Sequence, residues 1–459
     1  MEPKQNTRTQ YSLTDGTIWK AIVLFALPLF LGQVFQQFYN AFDAWCVGYF
    51  INDNALAAVS SSGSLIFMMV SFFNGLAMGA GVIIAKHFGA RNYDQMRQTT
   101  HTAVAFGLCT GAALTIVGVS LTPTILKWMG TPAEVLPESI TYFRYYFYGA
   151  IFIVMYNIFV GIHHAVGDSK HPLYFLIIST FVNIGLDLLF VAVLGFGVGS
   201  AAVATTISQG VSALLCCIHL MRSKEPYRLQ LHAIRFHKQS LADIIRFGLP
   251  SAVQNSVIAL ANVFVQSNIN HFGKFAMAGC GAYSKLEGFA FLPVTCFSQA
   301  LSTFTGQNLG AKKHDRVKKG VVFGILCSVI MAEIIGILSY VFAPQLIGFF
   351  AESPESIDFG ARHMQTICLF YCLLAFSHCI AGIMRGAGKA TVPMFTMLLC
   401  WCVIRVSYIT IAVKFIPELT TVSWAYPITW TLSSIVFLIY FLKADWIHNF
   451  DRLEAKQNT

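Results

Sequence analysis

The sequence predicts an all-α membrane protein of twelve transmembrane helices in two pseudo-symmetric six-helix lobes. Three observations predict it: the composition, a regular alternation of basic loops, and an internal repeat. The 459 residues are 56% hydrophobic and only 11% charged, with a mean hydropathy of +0.63. Soluble domains carry about 25% charged residues. The net charge of +9 does not signal nucleic-acid binding, because the basic residues are scattered through short loops between apolar runs.

Twelve apolar runs are each long enough for the roughly 20 residues that a spanning helix needs. They cover about 17–44, 54–86, 98–121, 140–164, 172–194, 199–222, 241–270, 276–304, 317–341, 362–385, 392–414 and 422–443. The first is preceded by the polar segment Met1 to Lys20, with no short apolar stretch and cleavage site, so no cleaved signal peptide is expected. The loops after helices 2, 4, 6, 8 and 10, together with both terminal segments, hold 23 of the 30 Lys and Arg residues. The alternate loops hold only Lys127, Arg144, Lys274, Arg362 and Lys414. By the positive-inside rule, both termini and the basic loops are expected in the cytoplasm and the spans in the plasma membrane.

The second six helices repeat the first. Leu27-Pro28 opens helix 1 and Leu249-Pro250 opens helix 7, 222 residues later. Gly89-Ala90-Arg91 with Asp94 follows helix 2, and Gly310-Ala311-Lys312 with Asp315 follows helix 8, at an offset of 221. Gly161, Gly167 and Pro172 match Gly382, Gly388 and Pro393, again at 221. Six helices per half keep the two halves in the same orientation, an architecture of transporters with the substrate site between lobes. The expected division is an N-terminal lobe over 1–221, a cytoplasmic linker over 222–240, and a C-terminal lobe over 241–459 with a short tail.

The chemistry is concentrated in a few intramembrane polar residues. A carboxylate at the bilayer centre costs about 3 kcal/mol on insertion scales, so it belongs inside a bundle or facing a watery cavity. Helix 1 carries Asp43, with Gln36 and Asn40 on the same face at helical spacing and Tyr39 beside them. Helix 5 carries Asn183 and Asp187 one turn apart, helix 4 adds Asn157, and helix 6 adds Thr205 and Thr206. Two carboxylates with amide and hydroxyl oxygens suit a hard cation such as Na⁺, or the same pair can carry protons. The alternative for each amide or hydroxyl is a tie between helices worth about 0.6 kcal/mol.

The repeat separates fold from chemistry. Asp43 corresponds to Val265, Asp187 to Tyr408 and Asn157 to His378, so these two aspartates occur in the N-terminal lobe only. The C-terminal lobe instead offers Asn255, Asn262 and Gln266 in helix 7, Lys285 and Glu287 in helix 8, Glu333 in helix 9, His378 in helix 10 and Arg405 in helix 11. A buried Glu287–Arg405 ion pair is one expectation. The twelve cysteines lie mostly within apolar runs; Cys368 and Cys372 are one turn apart but read as small apolar filler. Methionines such as Met68, Met69 and Met78 suit lipid, core or an adaptable pocket.

Together, Leu27-Pro28 with Tyr39-Asn40 and Asp43, the paired Gly-Ala-Arg/Lys loops, Asn183-x-x-x-Asp187 and Gly386-Ala387-Gly388-Lys389 resemble the multidrug and toxic compound extrusion (MATE) family. The resemblance covers nearly everything from helix 1 to helix 12. It implies the MATE fold and export of amphipathic, often cationic organic compounds in exchange for Na⁺ or H⁺, by alternating access of two lobes. It implies no enzyme activity and no cofactor beyond the coupling ion. The residues that match the family's cation site are Asp43, Asn183, Asp187 and Thr205, with Tyr39 and Asn157 beside it. The substrate cavity is expected to use Gln36, Tyr39, Asn40, Asn157, Asn255, Gln266 and Glu287. Helices 7 and 10 carry Asn255, Gln266 and His378 where the NorM-like branch has acids, so the chain looks DinF-like. Its partners are a small organic substrate and the bilayer, with no nucleic acid, and a monomer is expected.

Two other classes are weighed against this reading. A lipid-linked oligosaccharide flippase of the same superfamily would want several basic residues in the cavity for a pyrophosphate; only Lys285 and Arg405 qualify. A membrane-embedded enzyme would need a catalytic set or a metal box, and His163, His164 and His171 do not form one by spacing. The topology is directly testable in a background stripped of reactive thiols. A cysteine at Ser353 should react with an impermeant reagent in intact cells, while one at Ser223 should react only after lysis. Labelling of the Ser223 position from outside would invert the orientation.

Overall fold

The computed structural model describes residues 12–51, 53–128 and 134–457, with the side chains of 53–69, 128, 454, 456 and 457 left aside. Lys4, Arg8, Met68 and Met69 therefore lie outside what is described. Twelve helical crossings are present among the described residues. Helix 1 is Ile18–Phe50, helix 2 Asp53–Gly89 and helix 3 Tyr93–Trp128. Helix 4 is Leu136–Tyr148 plus Ala150–Ala165, helix 5 Lys170–Asp187, and helix 6 Gly199–Arg222. Helix 7 is Lys238–Asn270, and helix 8 is Lys274–Ala290 plus Leu292–Gly310. Helix 9 is His314–Val341, and helix 10 is Pro354–Cys368 plus Tyr371–Gly386. Helix 11 is Thr391–Met397 continued by Arg405–Phe415, and helix 12 is Leu419–Lys443. Eight of these are individually long and apolar enough to cross a membrane, and the bent halves of helices 4 and 10 supply two more. Helix 2 and the broken helix 8 complete the set.

The sequence reads helices 4, 8 and 10 as continuous; all three are broken. Helix 4 bends by 48° at Gly149 and helix 10 by 55° around Phe370, positions 221 residues apart, so the bend belongs to the repeated unit. Gly149 sits where a Cβ would strike the Thr206 side chain of helix 6. Helix 8 breaks at Phe291, just before Pro293, which has no N–H to continue the ladder. Short helices at Ala343–Gly348 and Asn449–Gln457 are additions that the apolar runs do not announce.

The loops repeat in detail. Helix 2 ends with Arg91 in the left-handed region (φ 56°) and Asn92 N–H bonded to the His87 carbonyl; helix 8 ends with Lys312 (φ 57°) and Lys313 bonded to Asn308. A non-glycine residue in that conformation costs about 1–2 kcal/mol, and the backbone bonds that close each helix end offset it. Gly167 (φ 89°) and Gly388 (φ 74°) make the matching turns after helices 4 and 10. The same backbone geometry at a constant offset is the structural form of the duplication.

The lobes meet most closely where helix 2 crosses helix 7. A Cβ on Gly75 or Gly79 would run into the backbone of Ala252 or Gly248, and Asn255 Nδ2 donates to the Ser71 carbonyl (3.3 Å) across the same crossing. At the end that carries the basic loops, Gly89 and Gly310 each abut the backbone of the opposite lobe. There Gln307 Nε2 donates to the Ala165 carbonyl (2.7 Å), and its Oε1 accepts from Leu13 N–H (3.0 Å). Asn308, Lys313 and Arg316 donate to backbone carbonyls between Leu13 and Gly16. The lobes are thus packed together at the basic end. Replacing Gly79 by Val should push helix 2 off helix 7. Overpacking of this kind costs about 1–3 kcal/mol, read as a lower Tm of the detergent-purified protein; an unchanged Tm would show that the crossing is not tight.

Candidate cation and substrate site

Helical spacing on helix 1 puts Tyr39, Asp43, Cys46 and Val47 on one buried face. Gln36 and Asn40 share a neighbouring, more open strip, where Gln36 Nε2 donates to Asn40 Oδ1 (3.4 Å). The face read in the sequence therefore splits in two: Tyr39 and Asp43 point into the lobe, and Asn40 stays exposed. Helix 5 delivers Asn183 and Asp187, both fully buried, and helix 6 delivers Thr205 and Ser208. Directly after Asp187 the helix widens into a π turn, Leu188–Val193, the kind of local irregularity that often accompanies functional sites.

The electrostatics of this cluster are unusual for a protein interior. The Asp43 and Asp187 carboxyl groups face each other. Asp43 Oδ1, both Asp187 oxygens, both amide atoms of Asn183 and Thr205 Oγ1 are buried without a hydrogen-bond partner. Leaving such an atom unsatisfied costs about 1–3 kcal/mol, more for a charged group. Carboxylate, amide and hydroxyl oxygens are the ligands of hard cations, and two facing carboxyls can equally share a proton. A transported Na⁺ or H⁺ thus fits the donor set.

Four residues around the acids were not singled out in the sequence. Tyr39 Oη pairs with Ser208 Oγ at 3.3 Å. Tyr142 and Tyr146 of helix 4 lie within electrostatic reach of Asp43, and Cys46 lies beside both acids. Tyr142 and Tyr146 are one turn apart, and Ser208 is one turn from Thr205, so helical spacing alone pairs them. Their approach to Asp43 depends on the bend at Gly149.

The other predicted cavity residues are placed elsewhere. Asn157 Nδ2 donates to its own helix at Ile153 (2.8 Å) and lines an apolar crevice with Val70, Phe73 and Tyr146. Asn255 ties the lobes together, and Gln266 Nε2 donates to Asn270 Oδ1 (3.0 Å). Gln37, not picked from the sequence, reaches the Gly288 region of helix 8 from helix 1.

The C-terminal lobe contains a polar cluster of its own, and here two expectations are corrected. Arg405 does not pair with Glu287. Its guanidinium donates to Thr429 Oγ1 (3.0 and 3.3 Å) and sits over the rings of Tyr426 (4.5 Å) and Trp401 (5.4 Å). Glu287 Oε1 instead accepts from Tyr283 Oη (2.9 Å). The Tyr426 and Trp401 ring faces and the Thr429 hydroxyl stabilise the buried guanidinium in place of a carboxylate. Lys285 is exposed, with its ammonium over the Phe350 ring (5.5 Å). Arg385, counted with a loop in the sequence, is buried and donates to Ser298 Oγ (3.2 Å). His378 lies between Phe291 and Trp401 with Nε2 unpartnered, and Glu333 faces Cys372.

Because Gln can still accept from Tyr283, Glu287→Gln should leave the Tm of the purified protein within a few degrees of the parent. A collapse of stability would show that Arg405 depends on the Glu287 charge.

Comparison with known proteins closes the identification. The MatE family model matches twice, over residues 28–189 and 250–411. The chain is 30% identical over 400 residues to the probable multidrug resistance protein YoeA of Bacillus subtilis, covering 86% of each chain. It is 24% identical over 438 residues to the probable multidrug resistance protein NorM of Thermotoga maritima, covering 94% of this chain and 93% of that one. Among solved structures, a MOP superfamily transporter from Pyrococcus furiosus, described as having a binding pocket of reversed polarity, superposes with a TM-score of 0.88 at 24% identity. That match covers 97% of this chain and 98% of the other. The twofold match falls 222 residues apart, the offset of Leu27-Pro28 from Leu249-Pro250 and one more than that of the loops, and its two copies take in helices 1–5 and 7–11. With its duplicated six-helix architecture and a family match over both copies, the chain belongs to the MatE family.

Proposed function

We propose that this protein is a secondary active antiporter that exports amphipathic, often cationic organic compounds in exchange for Na⁺ or H⁺. The observation that carries this reading is the enclosed set of unpartnered oxygens on Asp43, Asn183, Asp187 and Thr205. Family membership and the multidrug-resistance names of its relatives support it. The ion is a transported substrate, and no other cofactor is required.

In this reading Asp43 and Asp187 alternate between a pair charged around a cation and a pair neutralised by protons. Asn183 and Thr205 contribute oxygens, and Tyr39, Tyr142 and Tyr146 keep the pair dry. Helix 1 packs on helix 5 of its own lobe and on helix 8 of the other, so both lobes sense its shape. Pro28 removes one hydrogen bond from that continuous helix and gives it a natural point of bending. Ion and drug then compete through the conformation of helix 1, each shifting the lobes only by its differential affinity for the two states.

The organic substrate lies between the lobes, against the open strip of Gln36 and Asn40 on helix 1, and reaches Tyr39, Asn157, Asn255, Gln266 and Glu287 only when the lobes leave this packing. The lobes comprise residues 1–221 and 241–459, joined by a linker at 222–240. We place both termini and the basic end in the cytoplasm of a cell whose plasma membrane holds the protein as a monomer. The packing at the basic end then corresponds to a state closed toward the cytoplasm. A pyrophosphate-binding flippase is less well supported, because Arg405 is enclosed by Thr429, Tyr426 and Trp401, which leaves Lys285 as a single free cation of the two that the sequence offered.

The test is efflux from proteoliposomes under an imposed Na⁺ gradient and, separately, an imposed pH gradient. Asp43→Asn and Asp187→Asn should each bring ion-driven export to background while substrate binding is retained. Export by both variants at the parent rate, with unchanged ion dependence, would remove the N-lobe coupling site.

A further inference from the structure

At the basic end of the N-terminal lobe, away from the acids, three elements bring His163, Asp168, His171 and His219 together. His163 ends helix 4, Asp168 lies in the following turn, His171 begins helix 5 and His219 ends helix 6. We propose that His163, Asp168 and His219 form a binding site for a divalent transition metal of the zinc class, with His171 as the residue that orients the carboxylate.

The hydrogen bonds define the donor atoms. His163 Nδ1 lies 2.8 Å from the Phe159 carbonyl, which can only accept. Nδ1 therefore carries the proton, and the Nε2 lone pair points at His219 Nδ1, 3.0 Å away. Backbone-held histidines with the opposite nitrogen presented are the usual form of a metal-ligating imidazole. Asp168 is buried; its Oδ1 accepts from the backbone N–H groups of Lys170 and His171 (3.2 Å each), and its Oδ2 accepts from His171 Nδ1 (2.7 Å).

One ligand atom from each of His163, Asp168 and His219 lies within 4.8 Å of the others. Around tetrahedral zinc, with bonds near 2.0–2.1 Å, ligand atoms stand about 3.3 Å apart. The histidine pair is already near that spacing, and a small rotation of the carboxylate completes it. Two histidines and one carboxylate leave a fourth position for water. His171 stacks on His219 (ring centroids 4.0 Å apart) and is about a third exposed, which gives the metal a route from the surface.

The duplicated lobe supplies an internal comparison. At the offset of 221, His163 corresponds to Met384, Asp168 to Lys389, His171 to Val392 and His219 to Tyr440. There Lys389 Nζ donates to Tyr440 Oη (3.2 Å), closing the same turn with no metal-binding set. The fold therefore needs only a polar clasp at this position, and the N-terminal lobe builds it from metal ligands. In sequence the histidines looked unrelated, because His219 lies 56 residues from His163. The site also flanks Ala165, whose carbonyl receives Gln307 from the opposite lobe, so a bound metal would stiffen the segment on which the lobes are joined.

The test uses the full-length protein in detergent, stripped with a chelator and titrated with Zn²⁺ by calorimetry and with Co²⁺ by absorption. One equivalent should bind, with a tetrahedral Co²⁺ spectrum that lacks a thiolate charge-transfer band, and Zn²⁺ should raise the Tm. His163→Gln and His219→Gln should each abolish the Tm shift, and His171→Gln should weaken binding by about 10–100-fold. If His163→Gln does not fold, the variant at the partly exposed His219 carries the comparison. Absence of stoichiometric binding, binding that survives His219→Gln, or a thiolate band from the cysteines would overturn the proposal.

Discussion

A carboxylate inside a bilayer must be enclosed, and much of this structure follows from enclosing two of them. Helix 1 cannot present Asp43 to lipid without a cost of about 3 kcal/mol. It therefore turns the Tyr39–Asp43–Cys46 face toward helices 5 and 6, where Asn183, Asp187 and Thr205 meet it. The outer faces of the same helices stay apolar and exposed, at residues such as Phe38, Trp45 and Phe181. Enclosure, however, does not satisfy these groups. Their oxygens are buried without partners, the condition that a bound cation or proton would relieve.

The second lobe shows what the fold requires without that chemistry. Its loops reproduce the first lobe down to a left-handed residue at each helix end and a bend at the same point in helices 4 and 10. Its interior is built differently, from a guanidinium held by Thr429 and aromatic rings and from a Tyr283–Glu287 hydrogen bond. Duplication thus preserved backbone geometry while side chains at equivalent positions diverged. Val265 where Asp43 would be, and Lys389 where Asp168 would be, are two instances of one pattern.

Small residues carry the contact between lobes. Gly75, Gly79 and Gly248 let helices 2 and 7 approach backbone to backbone, and the Gln307–Ala165 and Asn308–Leu13 bonds close the basic end. In a bilayer there is little hydrophobic drive between helices, so close packing and hydrogen bonds supply the association. Contacts of this kind are many and individually weak, a combination that permits two lobes to separate and repack.

Membrane residence, the count of crossings, the duplication and the two acids were all legible in the chain itself. Each rests on a signal that is local or strictly periodic: a run of apolar residues, basic loops in alternation, a constant offset, a carboxylate where hydrocarbon forbids one. The bends at Gly149 and Phe370 were not legible, because they depend on packing between helices, such as Thr206 against Gly149; the break at Phe291 had a local signal in Pro293. Nor was the partner of Arg405, since Thr429 and Tyr426 lie on a different helix and reach it only through packing. The meeting of His163 with His219 has the same cause. Sequence spacing determines which side chains share a helix face; which faces meet is decided by the angles at which helices cross, and those arise only when the whole set is packed.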